Sequence, residues 1–354
     1  MKGLVPCGHM PGPDVVCIYN PVSGGGKTKR CLATVRPLLE AAFESFEARP
    51  TEGPGHATVL CRAALEQGAS LIIAFGGDGT TNEVLAGFVD EDGENSFPGA
   101  ELGIIATGTG SDFVRHLGPA SVEEQVRAVI DGPGHAIDYG VAQMVSSDGQ
   151  PLTRPFLNEA SVGVSGLVSK YVQRAPRMFG PAASYVWSSV RSLSEHRDKG
   201  VTLLLEDDVP IRLPLTLAVF ANGQYFGGGM WIAPEARCDD GWLDVLYTGG
   251  TGKAHFITLL ARVFKGSHIK SSGVRSARSR TVRMVPDDDR DVVLIALDGE
   301  QPGRLPATFH IVHKGIRVRA HGLPARTPVS TGAFEPVGDP DEEPAPVRVG
   351  RLIH

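Results

Sequence analysis

In the first third of the chain, short apolar runs alternate with stretches whose apolar residues recur at helical spacing. The runs VVCIYN (15–20), SLIIAFG (70–76) and ELGIIAT (101–107) are too short for ordinary helices and end in Asn, Gly or Thr, which predicts strands closed by turns. Between them, TKRCLATVRPLLEAAFE, ATVLCRAALEQ and NEVLAGFV carry the period of amphipathic helices. Such alternation predicts an open α/β sheet with its ligand at the carboxyl ends of the strands. After residue 132 the texture changes: VTLLLED, RLPLTLAVFAN, GWLDVLYTG, TVRMV, DVVLIALDG and ATFHIVHKGIRVRA read as strands, with helical patterns near 166–174, 181–195 and 253–264. The expected organisation is an α/β domain over 14–131, a β-rich domain over 132–323, and a disordered Pro-, Gly- and acid-rich tail over 324–354.

The 354 residues, 42% hydrophobic and 21% charged, suffice for two ordinary cores. A net charge of −6 gives no ground for a general attraction to nucleic acid. No apolar run is long enough to span a bilayer, and the start, MKGLVPCGHMPGPD, lacks the apolar centre of a signal peptide. Five scattered cysteines without a CxxC pair suit reduced thiols, so a cytoplasmic protein is expected. From Lys265 to Met284 every charged residue is basic: Lys265, Lys270, Arg275, Arg278, Arg280 and Arg283. This segment reads either as a charge-protected edge strand or as a peripheral contact with anionic lipid headgroups.

The local signal for chemistry is Gly76-Gly77-Asp78-Gly79-Thr80, between a strand and the helix beginning near Asn82. Glycines let the backbone turn tightly, and N–H groups backed by a helix N-terminus suit an anion such as an ATP phosphate. Asp78 is out of place beside phosphate unless a cation lies between them, and Mg²⁺ is the usual bridge. The first strand ends in Asn20-Pro21-Val22-Ser23-Gly24-Gly25-Gly26-Lys27-Thr28. It is not a Walker A loop, because Pro21 stands where that motif needs Gly, but a glycine turn with Lys27 near phosphates fits. The third strand ends in Gly108-Thr109-Gly110-Ser111-Asp112-Phe113, small residues followed by a helix start. Three such turns at three strand ends are expected to converge on one crevice.

Two acidic turns stand out further on. Arg237-Cys238-Asp239-Asp240-Gly241-Trp242-Leu243-Asp244 does not fit EF-hand spacing and reads either as a hairpin turn or as a cation site. Leu297-Asp298-Gly299-Glu300 ends an apolar run. Its carboxylates, two apart along an apparent strand, are expected on one side, where one could act as general base.

Taken in order, NPVSGGGK (20–27), GGDGTTNEV (76–84), GTGSDF (108–113), FLNEASVGVSG (156–166), NGQYFGGGMWIAPEARCDDGWLDV (222–245) and LDGE (297–300) resemble the diacylglycerol kinase catalytic family, which includes bacterial lipid kinases, sphingosine kinases and ceramide kinases. The resemblance implies an α/β nucleotide domain and a β-sandwich domain with ATP in the cleft between them. It implies a soluble lipid kinase whose substrate is a lipid alcohol and which uses Mg²⁺. It places Asn20, Ser23, Gly24, Lys27, Thr51, Gly76, Gly77, Asp78, Gly79, Thr80, Asn82 and Thr109 at the nucleotide, and gives the catalytic carboxylates as Asp298, Glu300 and Asp78. It also implies a structural Mg²⁺ on the Asp240 carboxylate and the main-chain carbonyls of Arg237 and Trp242. Ser111 stands where many members have Asn, and GVSG (163–166) where bacterial relatives often show a GFDA-like stretch. The alternatives are a GGDGT kinase of a soluble substrate such as NAD, suggested by Leu157-Asn158-Glu159, and a nucleotide-binding regulatory module without catalysis. A homodimer is compatible with the sequence.

Overall fold

The computed structural model describes residues 12–108, 111–118, 121–172, 181–206, 209–250 and 252–323. Thr109 and the tail at 324–354 lie outside the described residues. The first half runs β1 (Val15–Tyr19), α1 (Ser23–Ala42), β2 (Phe46–Pro50), α2 (His56–Glu66), β3 (Leu71–Gly76), α3 (Asp78–Phe88), β4 (Glu101–Ala106), α4 (Asp112–Leu117) and α5 (Val122–Asp131). The second half runs β5 (Gly134–Ser146), β6 (Pro151–Phe156), β7 (Glu159–Gly163), α6 (Val164–Val172), α7 (Pro181–Glu195), β8 (Lys199–Leu205), β9 (Ile211–Ala221), β10 (Tyr225–Phe226), β11 (Met230–Trp231), β12 (Leu243–Gly249), α8 (Lys253–Val263), β13 (Val274–Ser279), β14 (Thr281–Pro286), β15 (Leu294–Leu297) and β16 (Glu300–Arg319).

Strands β2, β1, β3 and β4 pair in parallel in that order. β3 is buried at all six positions, as a parallel strand covered on both faces must be. Alternation along β1 sends Val15 and Cys17 to a core with Leu32, Val35 and Leu39 of α1 and Val126 and Val129 of α5. Val16 and Ile18 pack on the other face against Ala57, Cys61 and Leu65 of α2 and Val84 and Phe88 of α3. This is the expected open α/β sheet, with its loops at the strand carboxyl ends. The sequence pattern does not show β2 because FEARP, an edge strand, has no buried position and no apolar run.

In the second half, β9–β7–β15–β16–β14–β8 close back onto β9 through six antiparallel pairings. The ring encloses Val162, Leu203, Phe220, Met284, Ile295 and Phe309, with the Phe220 and Phe309 ring centroids 4.4 Å apart. The expected β-rich second domain is therefore present. β16 joins the two halves: near its start it pairs with β15, and near its end Arg317 and Val318 pair in parallel with β4. Among the described residues no helix is long and apolar enough to cross a membrane.

Candidate active site

The glycine turns after β1, β3 and β4 do come together. Gly24 has φ +59, and a Cβ there would stand 2.8 Å from the carbonyl oxygen of Thr107 after β4. A Cβ on Gly108 would stand 2.8 Å from Cα of Gly77 after β3. Only residues without a side chain allow these loops to touch. Beside them opens a cleft of about 670 Å³, lined by Ser23, Gly24, Asp78, Asp112, Asn158, Glu159, Tyr185, Gly228 and Asp298, among others.

Asp78 begins α3, where a carboxylate is favoured by the helix dipole. Its Oδ2 accepts a hydrogen bond from the Ser111 N–H at 2.9 Å. Burial, and then the negative charges of Asp112 and Asp298, push its pKa up to about 7. Ser111 itself has φ +53, a left-handed position that Asn accepts more readily than Ser. Because the link to Asp78 is made by the main chain, it survives the departure from Asn.

Asp298 and Gly299 form the turn between β15 and β16, with φ +45 and +87, the sign pattern of a type I′ hairpin turn. Asp298 Oδ1 accepts from the N–H groups of Asn158 (3.0 Å) and Glu159 (2.9 Å). Oδ2 accepts from the Leu157 N–H (2.8 Å) and the Asn82 side-chain amide (2.9 Å). Burial still raises its pKa above the ordinary carboxylate value. Glu300 is exposed and is not among the cleft-lining residues; its Oε1 would stand 3.0 Å from a Cβ on Gly79. Asp298 and Glu300 flank a tight turn instead of lying two apart along a strand, and both carboxylates lie against α3, Asp298 at Asn82 and Glu300 beside Gly79.

Of the other residues expected at the nucleotide, Ser23 and Gly24 line the cleft. Thr80 is buried beneath Gly76, whose hypothetical Cβ would stand 2.5 Å from the Thr80 hydroxyl. Asn20 caps its own turn, accepting from the Val22 N–H, and Thr51 donates its N–H to the Tyr19 carbonyl at the carboxyl edge of the sheet. Lys27 is exposed and absent from the lining. Asn82 is turned away from it, onto Asp298 and the carbonyl of Pro155.

At the Asp239-Asp240-Gly241 turn, Asp240 Oδ1 accepts from the Trp242 N–H, and Oδ2 lies 3.5 Å from Nη1 of Arg278. Arg278 also meets Asp244 at 3.2 Å and the Glu235 carbonyl at 3.2 Å, while Arg237 is bound bidentately by Asp239. The Arg278 guanidinium thus lies against the Asp240 and Asp244 carboxylates of this turn. Arg278→Ser should therefore lower stability by roughly 3 kcal/mol, measured by denaturant unfolding, by leaving two largely buried carboxylates uncompensated. The basic segment is accordingly not one surface. Arg278 is spent on these acids and Arg280 lies 4.8 Å over the Trp242 ring, whereas Lys265, Lys270, Arg275 and Arg283 are exposed. β13, at the end of the sheet path, fits the edge-strand reading.

Asp112, Glu159 and Tyr185 are among the cleft residues not expected from the sequence. Asp112 Oδ2 accepts from the Gly228 N–H at 2.8 Å, and the same short helix holds the β10–β11 hairpin through His116, which accepts from the Gln224 N–H, and Arg115, which lies 5.9 Å over the Tyr225 ring. The Asp of GTGSDF was read only as a helix start. Glu159 is 3% exposed, and burial followed by the charge of Asp298 pushes its pKa up to about 8. The folded state thus holds this proton where an unfolded glutamate, near pH 4.3, has lost it. Its contribution to stability is fully present below that value and falls as pH rises towards about 8. Glu159→Gln should flatten the decline of unfolding free energy between about pH 4.5 and 8 relative to the native chain.

Residues 14–142 match the diacylglycerol kinase catalytic domain, and residues 158–320 match the YegS C-terminal NAD kinase beta sandwich-like domain. A diacylglycerol kinase of Staphylococcus haemolyticus is 30% identical over 305 residues, covering 85% of this chain and 86% of that protein. One from Mycobacterium tuberculosis is 29% identical over 310 residues, covering 86% and 94%. A solved diacylglycerol kinase structure from Bacillus anthracis superposes with a TM-score of 0.62 at 22% identity, covering 87% of this chain and 97% of that one. Yeast NADH kinase gives 0.50 at 12%, covering 88% and 84%, a likeness of fold alone. With a shared sequence over both halves and the fold to match, the chain belongs to the diacylglycerol kinase family.

Proposed function

We propose that the protein transfers the γ-phosphoryl group of ATP to the hydroxyl of a lipid, a diacylglycerol or a sphingoid-type alcohol. The observation that carries this reading is the meeting, across one cleft, of the glycine turns at the ends of the α/β strands with the buried carboxylate of Asp298. The lipid oxygen attacks the γ-phosphorus, the bond from that phosphorus to the ADP oxygen breaks, and Asp298 takes or orients the hydroxyl proton. All four acceptor positions of Asp298 are engaged, so it must release one donor to do so. Asn82 is the only side chain among the four donors, and its amide also donates to the Pro155 carbonyl at 3.1 Å.

Asp78, Asp112, Glu159 and Asp298 line the cleft, and no Lys or Arg is among its lining residues. Such a set fits a cation arriving with a polyphosphate. Among the described residues no three His, Cys, Asp or Glu side chains form a metal site of their own, so phosphate oxygens would complete the coordination. When bound there beside Asp78, Mg²⁺ would neutralise charge on the phosphates. The N–H groups of the glycine turns orient the same phosphates.

The acceptor is reached from an anionic membrane surface, with the exposed Lys265, Lys270, Arg275 and Arg283 as contacts. Replacing Lys270 and Arg275 by Ser should weaken binding to anionic vesicles by about 1 kcal/mol per charge at low salt, with less effect as salt rises. Sedimentation with vesicles checks this; unchanged binding would assign these residues to edge protection alone. The function itself is tested by offering Mg·ATP with diacylglycerol, monoacylglycerol, sphingosine, ceramide, phosphatidylglycerol and, separately, NAD. The reading expects a lipid phosphate and no NADP.

A further inference from the structure

Positive charge and exposed apolar side chains meet on one helix. From Val245 to Pro286 the chain carries eight Lys or Arg and no Asp or Glu, although its net charge is −6. α8 lies inside this span. Its inner face, Phe256, Leu259 and Val263, is buried against the rest of the fold. A second flank is also apolar: Ile257, Ala261 and the C-cap residue Phe264 follow at helical spacing, with Ile257 46% and Phe264 39% exposed. One apolar face is enough to seat a helix on a core, so the second is not used by the fold. Exposed Lys253 stands four residues before Ile257 on the same flank, and exposed Lys265 and Lys270 follow Phe264. α7 packs beside α8 through Leu193 and Phe256, and Lys253 Nζ donates to the Ser194 carbonyl at 2.9 Å. Among the described residues, five of the ten exposed large apolar side chains lie on α6, α7 and α8 or their ends: Val172, Trp187, Val190, Ile257 and Phe264. The apolar exposure is thus gathered on these helices, where the charge is also one-sided.

We propose that the outer flank of α8 is a membrane-insertion surface: Ile257 and Phe264 enter the acyl region of an anionic bilayer while Lys253, Lys265 and Lys270 meet its phosphate headgroups. This rests on the lipid-kinase reading and deepens it, adding to the charged contacts an apolar element that sinks into the lipid. A helix lying in the interface combines these two kinds of residue, with the apolar side buried roughly 5–10 Å below the headgroups. An acidic protein would satisfy the lysines equally, but a protein partner needs packed pockets around its apolar anchors. A row one side chain wide, rimmed by lysines, suits a fluid surface with no fixed shape. Trp187 on the neighbouring α7 is a side chain of the type enriched at membrane–water boundaries. The position also serves the cleft. Phe226, which lines the cleft, shares a buried cluster with Val263 of α8, and Tyr185 of α7 lines the cleft and packs on the same cluster. A bilayer seated on α8 is therefore one layer of side chains from the site where the lipid hydroxyl reacts.

The test uses the full chain as the native protein, Ile257→Ser, Phe264→Ser and the double variant. Leu38→Ser and Val59→Ser serve as controls, since these side chains of α1 and α2 are 55% and 63% exposed but lie in the other half of the fold. Sedimentation measures binding to vesicles of phosphatidylcholine and phosphatidylglycerol at low and at high salt. Turnover with Mg·ATP is measured on diacylglycerol in those vesicles and on a short-chain diacylglycerol dissolved without vesicles or micelles. Each α8 substitution should weaken vesicle binding by about fivefold and the pair by about twentyfold or more, at both salt concentrations, because apolar burial is not screened. The controls should stay within about twofold of the native chain, and so should turnover of the dissolved lipid in every variant, since no residue of α8 lines the cleft. Unchanged vesicle binding in the double variant overturns the proposal, as does a loss confined to low salt. A matching loss of turnover on dissolved lipid also overturns it, by making these side chains structural. A native chain that ignores the vesicles yet phosphorylates dissolved lipid sinks this inference alone and gives the face to a partner such as an acidic protein. A chain that binds vesicles through Ile257 and Phe264 but phosphorylates no lipid alcohol in either form upholds the surface and sinks the lipid-kinase reading.

Discussion

Asp298→Asn is expected to lower kcat by about 10²–10⁴-fold while ATP still binds, because the substitution removes the proton acceptor and leaves the glycine turns in place. The same change has a second, smaller consequence. Each carboxylate oxygen accepts two hydrogen bonds, so an amide nitrogen in either position faces two donors. Unfolding free energy should fall by about 1–3 kcal/mol, a loss that denaturant titration separates from the kinetic one. Glu300→Gln should cost less in kcat, since Glu300 is exposed and lies beside Gly79, whereas Asp298 lines the cleft. Adding it to Asp298→Asn should make the enzyme little worse than Asp298→Asn alone. A kcat for Asp298→Asn near that of the native chain would move the base to another cleft carboxyl, with Asp78 first in line.

Asp78→Asn should reduce turnover by at least about 10²-fold through a different step, the organisation of the phosphates. Here the effect on nucleotide affinity should be large, and the effect on the fold small or of opposite sign. Asp78 is buried with Asp112 and Asp298 as negative neighbours, and its pKa of about 7 means that ionising it costs the folded state free energy. Its stabilising proton is present below the unfolded value near pH 3.9 and is lost as pH rises towards about 7, so the Asn variant should equal or exceed the native chain in thermal stability above pH 7. Calorimetric titration with Mg·ATP and thermal melts at pH 6 and 8 check both halves. Ordinary ATP affinity and turnover in a folded Asp78→Asn variant would remove Asp78 from the phosphate site.

The parts of the fold that could be read from the sequence are those in which one force dominates. β3, apolar at almost every position and closed by Gly76-Gly77, could hardly be anything but a buried parallel strand feeding a phosphate loop. The order of the glycine turns then located the crevice. β2 could not be read, because an edge strand of five residues with no buried position needs no apolar run. β5 was hidden by Asp138, which interrupts its pattern and is buried only because His313 and the N–H groups of Gly241 and Lys314 bond to it from distant segments. Within the site, Asp78 and Asp298 were legible from their turns. The tight turn that joins Asp298 to Glu300 was not, since it depends on two positive φ angles that a strand reading of LDGE overlooks. Arg278 looked like a surface charge until β13 paired with β12 and set it opposite Asp244. Glu159 sat in plain view in LNE, but its burial beside Asp298 arises from pairings of β7 with β15 and β9.

The central claim is phosphoryl transfer from ATP to a lipid hydroxyl at this cleft. It is tested most directly by incubating the native chain and Asp298→Asn with γ-labelled ATP, Mg²⁺ and diacylglycerol in anionic vesicles, then separating lipid, nucleotide and inorganic phosphate. The account predicts label in a lipid phosphate, formed in equal amount to ADP by the native chain and nearly absent with Asp298→Asn. Label that remains in ATP, appears only as inorganic phosphate, or reaches the lipid equally well with Asp298→Asn would contradict it.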